Sequence, residues 1–182
     1  MKLFNTLSGK KEDLPKPKGC PLRLFVCGPT VYDYLHIGNA RTYLVFDSFV
    51  KYLRSHGINV FYLQNITDID DKIIARAKEE KISPAAVAKK YLAVYRRNMK
   101  ALGITTVNAY APATKYIPQI IAQVETLTRN GNAYEIKGDG VYFDIKSFPD
   151  YGKLSRRTAL QAEAGTSRID ESVKKRNKGD FA

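Results

Sequence analysis

The chain has 182 residues, of which 44% are hydrophobic and 26% are charged, a composition typical of a soluble globular domain with, at most, a modest insertion. No run of about 18 apolar residues and no signal-like amino terminus occurs, so we expect neither a membrane span nor a secretory leader. The net charge of +12 and pI near 9.6 fit nucleic-acid binding or an ordinary solvated basic surface, and charge alone leaves both open.

The first predicted elements alternate strand, helix, strand. Residues 22–27 are short, apolar and rich in β-formers, and they predict a buried strand that the following Gly-Pro pair ends. Residues 37–56 predict a helix, because apolar side chains recur at three- and four-residue steps and Gly57 suits its end. Residues 59–66 predict a second strand. This order predicts a right-handed βαβ unit, and therefore an α/β fold with a parallel, nucleotide-binding sheet.

The later predicted elements are mainly helical. They are helices over residues 68–78, 84–102 and 116–130, and a hairpin of residues 133–136 and 141–145. Thr67 and Asp68 are the expected N-cap of the first helix, and Ser83 followed by proline is the expected start of the second. The polar, basic stretch from about residue 158 is expected to be a flexible tail.

The segment that joins the first strand to the first helix carries the most informative motif, CGPTVYDYLHIGN over residues 27–39. A helix amino terminus exposes unpaired backbone N–H groups and the positive end of the helix dipole, which hold phosphate groups. Gly38 leaves room for a ring or sugar, and His36 and Asn39 can donate hydrogen bonds to phosphate oxygens. These features predict a nucleotide triphosphate site at the carboxyl end of the sheet. The alternative is a chance pattern in which His36 only caps the helix.

The motif extends into a family resemblance. CGPTVYDYLHIGNARTYLVFD, residues 27–47, resembles the HIGH region of class I aminoacyl-tRNA synthetases in the form typical of cysteinyl-tRNA synthetases. NITDIDDKII over residues 65–74, LFNTL over 3–7 and YGKLS over 151–155 are similar to further blocks of that family. Asn39 stands where the motif has its second histidine, and asparagine cannot take a positive charge, so weaker phosphate stabilisation is expected.

The resemblance implies an activity and a set of site residues. The implied enzyme activates cysteine with ATP and magnesium, transfers it to tRNA(Cys), and is a cytoplasmic monomer that does not enter membranes. The implied residues are His36 and Asn39 for catalysis, His36, Gly38 and Asn39 for ATP, Gly28, Thr30 and Thr67 for substrate, and Cys27 as a zinc ligand. Zinc prefers sulfur, so it would hold the cysteine thiolate and discriminate against serine.

The resemblance also divides the chain into residues 1–110, the first half of the nucleotide-binding catalytic domain, and residues 111–182, a connective insertion with helix, hairpin and basic tail. In that family the other zinc ligands, a KMSKS loop and a helical anticodon-reaching domain lie in later segments that we do not find in these 182 residues. We therefore expect the isolated chain neither to charge tRNA nor to hold zinc tightly.

Several alternatives stay open at this level. A non-catalytic remnant could bind tRNA or another partner through its basic surface. By the resemblance, Arg156, Arg157 and residues 174–176 would meet the tRNA acceptor end, and the alternative is an ordinary solvated face. A relative that ligates cysteine in mycothiol synthesis shares the fold, although the NITDIDDKII block favours the tRNA enzyme. The carboxylates of Asp68, Asp70 and Asp71 lack the spacing of a calcium loop, which favours helix capping over metal binding.

Overall fold

The computed structural model describes residues 1–15, 17–156 and 174–182. The chain forms two compact units. One consists of Pro15–Ile117, and the other combines Met1–Leu14 with Pro118–Ala182. The division into domains 1–110 and 111–182 differs from this grouping in residues 1–14 and 111–117, and it stays a prediction.

The regular elements are named in chain order. The strands are β1 Lys2–Asn5, β2 Lys10–Asp13, β3 Leu22–Val26, β4 Val60–Ile66, β5 Ala109–Pro112, β6 Ala133–Ile136 and β7 Gly140–Phe143, and the α-helices are α1 Ile37–Ser55, α2 Asp71–Glu80, α3 Pro84–Ala101 and α4 Ile117–Arg129. No helix in these described ranges is long and apolar enough to cross a membrane.

A parallel three-stranded sheet in the order β3-β4-β5 forms the centre of the 15–117 unit. Helix α1 connects β3 to β4, so the predicted α/β architecture is confirmed. The predicted buried strand is buried on one face only, because Phe25 is 61% exposed whereas Val26 is 6% exposed. Strand β3 lies at the edge of the sheet within this unit, and only one face of it is covered.

The covered face of the sheet packs on the helices. A buried cluster joins the sheet to α1, α2 and α3, and its largest members are Tyr43, Ile66, Ile73, Tyr91, Tyr95 and Met99. The alternation of buried and exposed residues along β4 follows from the two-residue period of a strand. This core holds the carboxyl ends of β3 and β4 and the amino end of α1 in one place.

Helix ends confirm one predicted cap and correct another. Ser83 caps α3 by accepting a hydrogen bond from the Ala86 N–H at 3.2 Å. The prediction of Thr67 and Asp68 as the cap of α2 is wrong, because Asp70 accepts from the Lys72 N–H at 2.8 Å and the helix begins at Asp71. Thr67 is unavailable to the helix because its backbone continues the pairing of β4, and the Asp68 carboxylate is bound to Thr114.

The second unit contains two antiparallel pairs, β1 with β2 and β6 with β7, so the predicted hairpin is confirmed. Asp180 is fully buried and accepts hydrogen bonds from the Tyr134 hydroxyl at 2.7 Å and from the Ile145 N–H at 3.1 Å. Residues 174–182 therefore pack on the hairpin, unlike the predicted flexible tail. The part of that predicted tail up to residue 173 lies outside the described residues.

Asp47 is a buried carboxylate on α1 that anchors the segment before β5. Its Oδ1 accepts from the N–H groups of Thr105 and Thr106, both at 2.9 Å, and from the Thr106 hydroxyl at 2.7 Å. Its Oδ2 lies 2.6 Å from the Lys51 ammonium. Burial alone raises the pKa of Asp47, but the hydrogen bonds from Lys51, Thr106 and Thr105 outweigh burial and lower that pKa.

We expect Asp47→Asn to lower the free energy of unfolding by about 1–3 kcal/mol at neutral pH, because it loses a hydrogen-bonded charge. The folded pKa of Asp47 lies below the unfolded value of about 3.9. The carboxylate's contribution is therefore complete above that value and disappears as the pH falls through the folded pKa. Urea unfolding between pH 2 and pH 7 should show the variant and wild type converging in acid. The exposed Asp13 supplies a control, since Asp13→Asn should leave the unfolding free energy nearly unchanged.

Candidate active site

The ends of two parallel strands meet just beyond the sheet. The Thr67 N–H donates to the Pro29 carbonyl at 3.0 Å, and the Val31 N–H donates to the Thr67 carbonyl at 3.1 Å. These bonds continue the β3–β4 pairing past both strands and form an isolated bridge between Thr30 and Thr67. Residues predicted from separate motifs therefore lie side by side at the carboxyl edge of the sheet.

Helix α1 begins beside this edge, and His36 is its N-cap. The His36 Nδ1 accepts a hydrogen bond from the Gly38 N–H at 3.1 Å. A neutral imidazole whose Nδ1 accepts carries its proton on Nε2, which can therefore donate to another group. His36, Gly38 and Asn39 are all exposed. His36 thus caps the helix, and the same ring can still make a second contact through Nε2.

A cleft of about 270 Å³ lies against the strand ends and the start of α1. Of the predicted site residues, Gly28, Thr30, His36 and Asn39 line it, whereas Cys27, Gly38 and Thr67 do not. Two further lining residues, Tyr91 and Tyr95, come from α3. Neither tyrosine was predicted as a site residue, because their helical spacing matches that of core residues.

One of the cleft tyrosines, Tyr95, belongs to a buried hydrogen-bond network. The Tyr95 hydroxyl donates to the Gln64 Oε1 at 2.7 Å, and the Gln64 Nε2 donates to the Tyr62 hydroxyl at 2.7 Å. Burial raises the pKa of Tyr62 to about 12 and raises the pKa of Tyr95 well above its ordinary range. Both hydroxyls stay protonated at neutral pH, so Tyr95 brings an uncharged side chain to the cleft.

The loop over the cleft is held from outside by an ion pair. The Arg76 guanidinium on α2 contacts the Asp33 carboxylate, whose other oxygen accepts from the Tyr34 N–H at 2.8 Å. The exposed Tyr34 ring meets the edge of Tyr91 at a centroid distance of 5.5 Å. Helices α2 and α3 therefore fix the segment that leads into His36, a connection that no sequence motif indicated.

Cys27 follows β3 directly and is exposed, so it is not the buried apolar cysteine that its strand position permits. Its sulfur contacts the Gly28 carbonyl at 3.7 Å. Within residues 1–15, 17–156 and 174–182, no three His, Cys, Asp or Glu side chains are grouped so that they could hold a metal ion. The described residues therefore do not by themselves form a zinc site.

The three carboxylates after β4 do not converge on a common point. Asp68 accepts from the Thr114 N–H at 3.0 Å and from the Thr114 hydroxyl at 2.5 Å. Asp70 caps α2, and Asp71 occupies its first turn. Asp70 and Asp71 therefore lie at the start of α2, whereas Asp68 binds Thr114 and does not cap the helix as predicted.

Known proteins resemble the chain over its whole length. The family model described as tRNA synthetases class I (C) catalytic domain matches residues 16–182. The cysteine–tRNA ligase of Thermoplasma volcanium is 48% identical over 181 residues, covering 100% of this chain and 39% of that protein. The cysteine–tRNA ligase of Moorella thermoacetica is 43% identical over 182 residues, covering 100% of this chain and 38% of that protein. The chain thus spans about two fifths of the length of these curated relatives.

Solved structures share the fold. Methionyl-tRNA synthetase of Mycobacterium tuberculosis, in complex with methionyl-adenylate, superposes with a TM-score of 0.56 at 20% identity, covering 62% of this chain and 23% of that chain. The LeuRS of Agrobacterium radiobacter K84, in a ternary complex with tRNA, superposes with a TM-score of 0.62 at 18% identity, covering 74% of this chain and 22% of that chain. At these identities the likeness concerns the fold alone.

Proposed function

The chain belongs to the class I cysteinyl-tRNA synthetase catalytic-domain family, and on that premise we propose that it forms the nucleotide-binding part of an enzyme that activates cysteine with ATP. The observation that carries the proposal is the placement of His36 and Asn39 at the amino end of α1, on a cleft that Gly28 and Thr30 also line. The products of the first step are cysteinyl-adenylate and pyrophosphate, and the cysteinyl group then passes to tRNA(Cys). The enzyme acts as a cytoplasmic monomer.

In this proposal the chain's own residues position the substrates and stabilise the phosphate charge. No side chain acts as a nucleophile, because the cysteine carboxylate itself attacks the α-phosphate. The His36 Nε2–H and the Asn39 amide donate to phosphate oxygens, whose negative charge also favours the positive end of α1. The missing side chain at Gly38 lets the nucleotide approach the helix. Gly28, Thr30 and Thr67 face the amino acid, and magnesium accompanies the triphosphate.

The function is tested with the protein expressed from the complete reading frame. We expect cysteine-dependent exchange of pyrophosphate into ATP, together with cysteinylation of tRNA(Cys). Exchange without transfer to tRNA would favour a cysteine ligase that acts on another acceptor, such as the mycothiol relative. Binding of tRNA without exchange would favour a non-catalytic remnant. A protein that shows neither exchange nor cysteinylation would contradict the proposal.

The proposal extends to zinc, with Cys27 as one ligand and the remaining ligands outside the described residues. When bound, zinc supplies an open coordination position for the cysteine thiolate. The exposure of Cys27 beside the cleft supports this role, since a metal ligand must be reachable. The basic residues Arg156, Arg157 and 174–176 are candidate contacts for tRNA.

We expect Cys27→Ser to weaken cysteine binding about tenfold or more, because a hydroxyl is a poor zinc ligand. The dissociation constant for ATP should change less than about twofold, and bound zinc, measured by elemental analysis, should fall. Cys20→Ser is the matched control, since Cys20 is also an exposed free cysteine and should leave all three quantities unchanged. Equal weakening of cysteine and ATP binding would contradict a specific role for the Cys27 sulfur.

A further inference from the structure

Asn65, near the end of β4, contacts both strands at the carboxyl edge of the sheet. Its Oδ1 accepts a hydrogen bond from the Gly28 N–H at 2.8 Å, across 37 residues of sequence. Its Nδ2 donates to the Thr67 hydroxyl oxygen at the longer distance of 3.4 Å. One carboxamide therefore joins two residues that sequence analysis assigned to substrate binding from different motifs.

The backbones at this point are too close for any other side chain at position 28. A Cβ added to Gly28 would lie 1.8 Å from the Asn65 carbonyl oxygen. The regular pairing of β3 with β4 ends at Val26, so the Gly28 N–H needs a partner other than the strand ladder. The Asn65 side chain is that partner, and it thereby sets the position of the peptide that follows Cys27.

The hydrogen bond between Asn65 and Thr67 has a fixed direction. An amide nitrogen only donates, so the Thr67 hydroxyl must accept from Asn65 through its oxygen. The hydroxyl proton of Thr67 is then directed away from Asn65 and is available to an acceptor. On the proposed cysteine side of the site, such an acceptor would be the carboxylate or the sulfur of the amino acid.

We propose that Asn65 is a positioning residue for the amino-acid half of the site, an inference that rests on the proposed function. It does not touch substrate. It holds the Cys27–Gly28 peptide at a defined distance from Thr67, and it orients the Thr67 hydroxyl as a donor. Among the residues that the structure describes, Asn65 has no hydrogen bond to His36, Gly38 or Asn39, so the ATP half of the site, at the start of α1, is expected to be independent of it.

Asn65→Asp tests the polarity without removing the Gly28 contact. A carboxylate still accepts from the Gly28 N–H, but it cannot donate to Thr67, whose hydroxyl must turn to donate to the new carboxylate. In the protein from the complete reading frame, the KM for cysteine in pyrophosphate exchange should rise about tenfold, a change equivalent to one hydrogen bond. The KM for ATP and the melting temperature should stay close to wild type. Asn130→Asp, the same chemical change at an exposed position after α4, should alter none of them.

A double-mutant cycle with Thr67→Val provides a second measurement. Because Asn65 acts through Thr67, Asn65→Asp should add less than about twofold to the KM for cysteine once the hydroxyl is gone. Asn65→Ser, which adds no charge, should likewise raise the KM for cysteine more than the KM for ATP. The inference would be overturned by additive effects in the cycle or by equal rises in the KM values for cysteine and ATP. It would also be overturned by a lower melting temperature without a larger rise in the KM for cysteine than in the KM for ATP.

Measurements on the wild-type protein distinguish a failure of the proposed function from a failure of the role proposed for Asn65. Calorimetric binding of cysteine and ATP is measured beside exchange. A wild type that neither binds cysteine nor exchanges pyrophosphate refutes the proposed function and, with it, the role of Asn65. The role of Asn65 alone is refuted if the wild type binds cysteine and exchanges pyrophosphate, but the variants do not raise the KM for cysteine more than the KM for ATP.

Discussion

Replacing His36 with alanine should lower the rate of cysteine-dependent pyrophosphate exchange by about 10²-fold or more, the usual cost of removing a preorganised donor to a developing negative charge. The structure adds a second consequence, because His36 also caps α1 through its Nδ1. Loss of a cap costs about 1 kcal/mol, so His36→Ala should also lower the melting temperature. The two consequences need to be separated.

His36→Asn separates them, since asparagine is a favoured N-cap but has no imidazole Nε2–H. It should keep the melting temperature near wild type and still lose about 10²-fold in exchange. His56→Ala, at the other end of the same helix, is the control and should change exchange less than about twofold. If His36→Asn exchanged pyrophosphate at the wild-type rate, His36 would be a capping residue and no more.

Gly28→Ala should lower the rate of pyrophosphate exchange nearly as much as His36→Ala does, for a steric reason. The added Cβ would lie 1.8 Å from the Asn65 carbonyl oxygen. The oxygen is a backbone atom and the Cβ position is fixed by the Gly28 backbone, so neither atom can move aside by a side-chain rotation. The ends of β3 and β4 must separate by more than an ångström, and displacements of that size can cost about 10²-fold in rate. Overpacking should also lower the free energy of unfolding by about 1–3 kcal/mol. Exchange kinetics and urea unfolding measure the two effects.

Gly140→Ala is the matched control for this change. At Gly140 the nearest atom to an added Cβ is a Tyr142 ring carbon at 3.8 Å, which is ordinary van der Waals contact. This variant should keep wild-type exchange and nearly wild-type stability. Wild-type behaviour of Gly28→Ala would show instead that the strand ends relax without disturbing the site.

Helices were the part of the fold most accessible from sequence. The bounds predicted for α1 and α3 agree with the structure to within one residue at each end, because apolar spacing, caps and terminal glycines are local properties of the chain. The hairpin of β6 and β7 was predicted for the same reason. Strand β5 was missed, since AYAP lacks apolar alternation and contains proline, and becomes a strand by pairing with β4.

The start of α2 shows where local rules stop. Asp68, Asp70 and Asp71 are all suitable residues near a helix start, and their order alone does not identify the cap. The choice depends on where β4 stops pairing with the loop after β3, and on the contact of Asp68 with Thr114, 46 residues later. Both are decided by packing.

The candidate site divides in the same way. His36, Gly38 and Asn39 could be named from sequence because a strand, a loop and a helix start occur consecutively, and their chemistry is that of the residues themselves. Tyr91, Asn65 and the Arg76–Asp33 pair could not, because each contributes through a partner distant in sequence. Periodicity, caps and motifs record what neighbouring residues do to one another, whereas the cleft forms only when β3, β4 and α3 pack together.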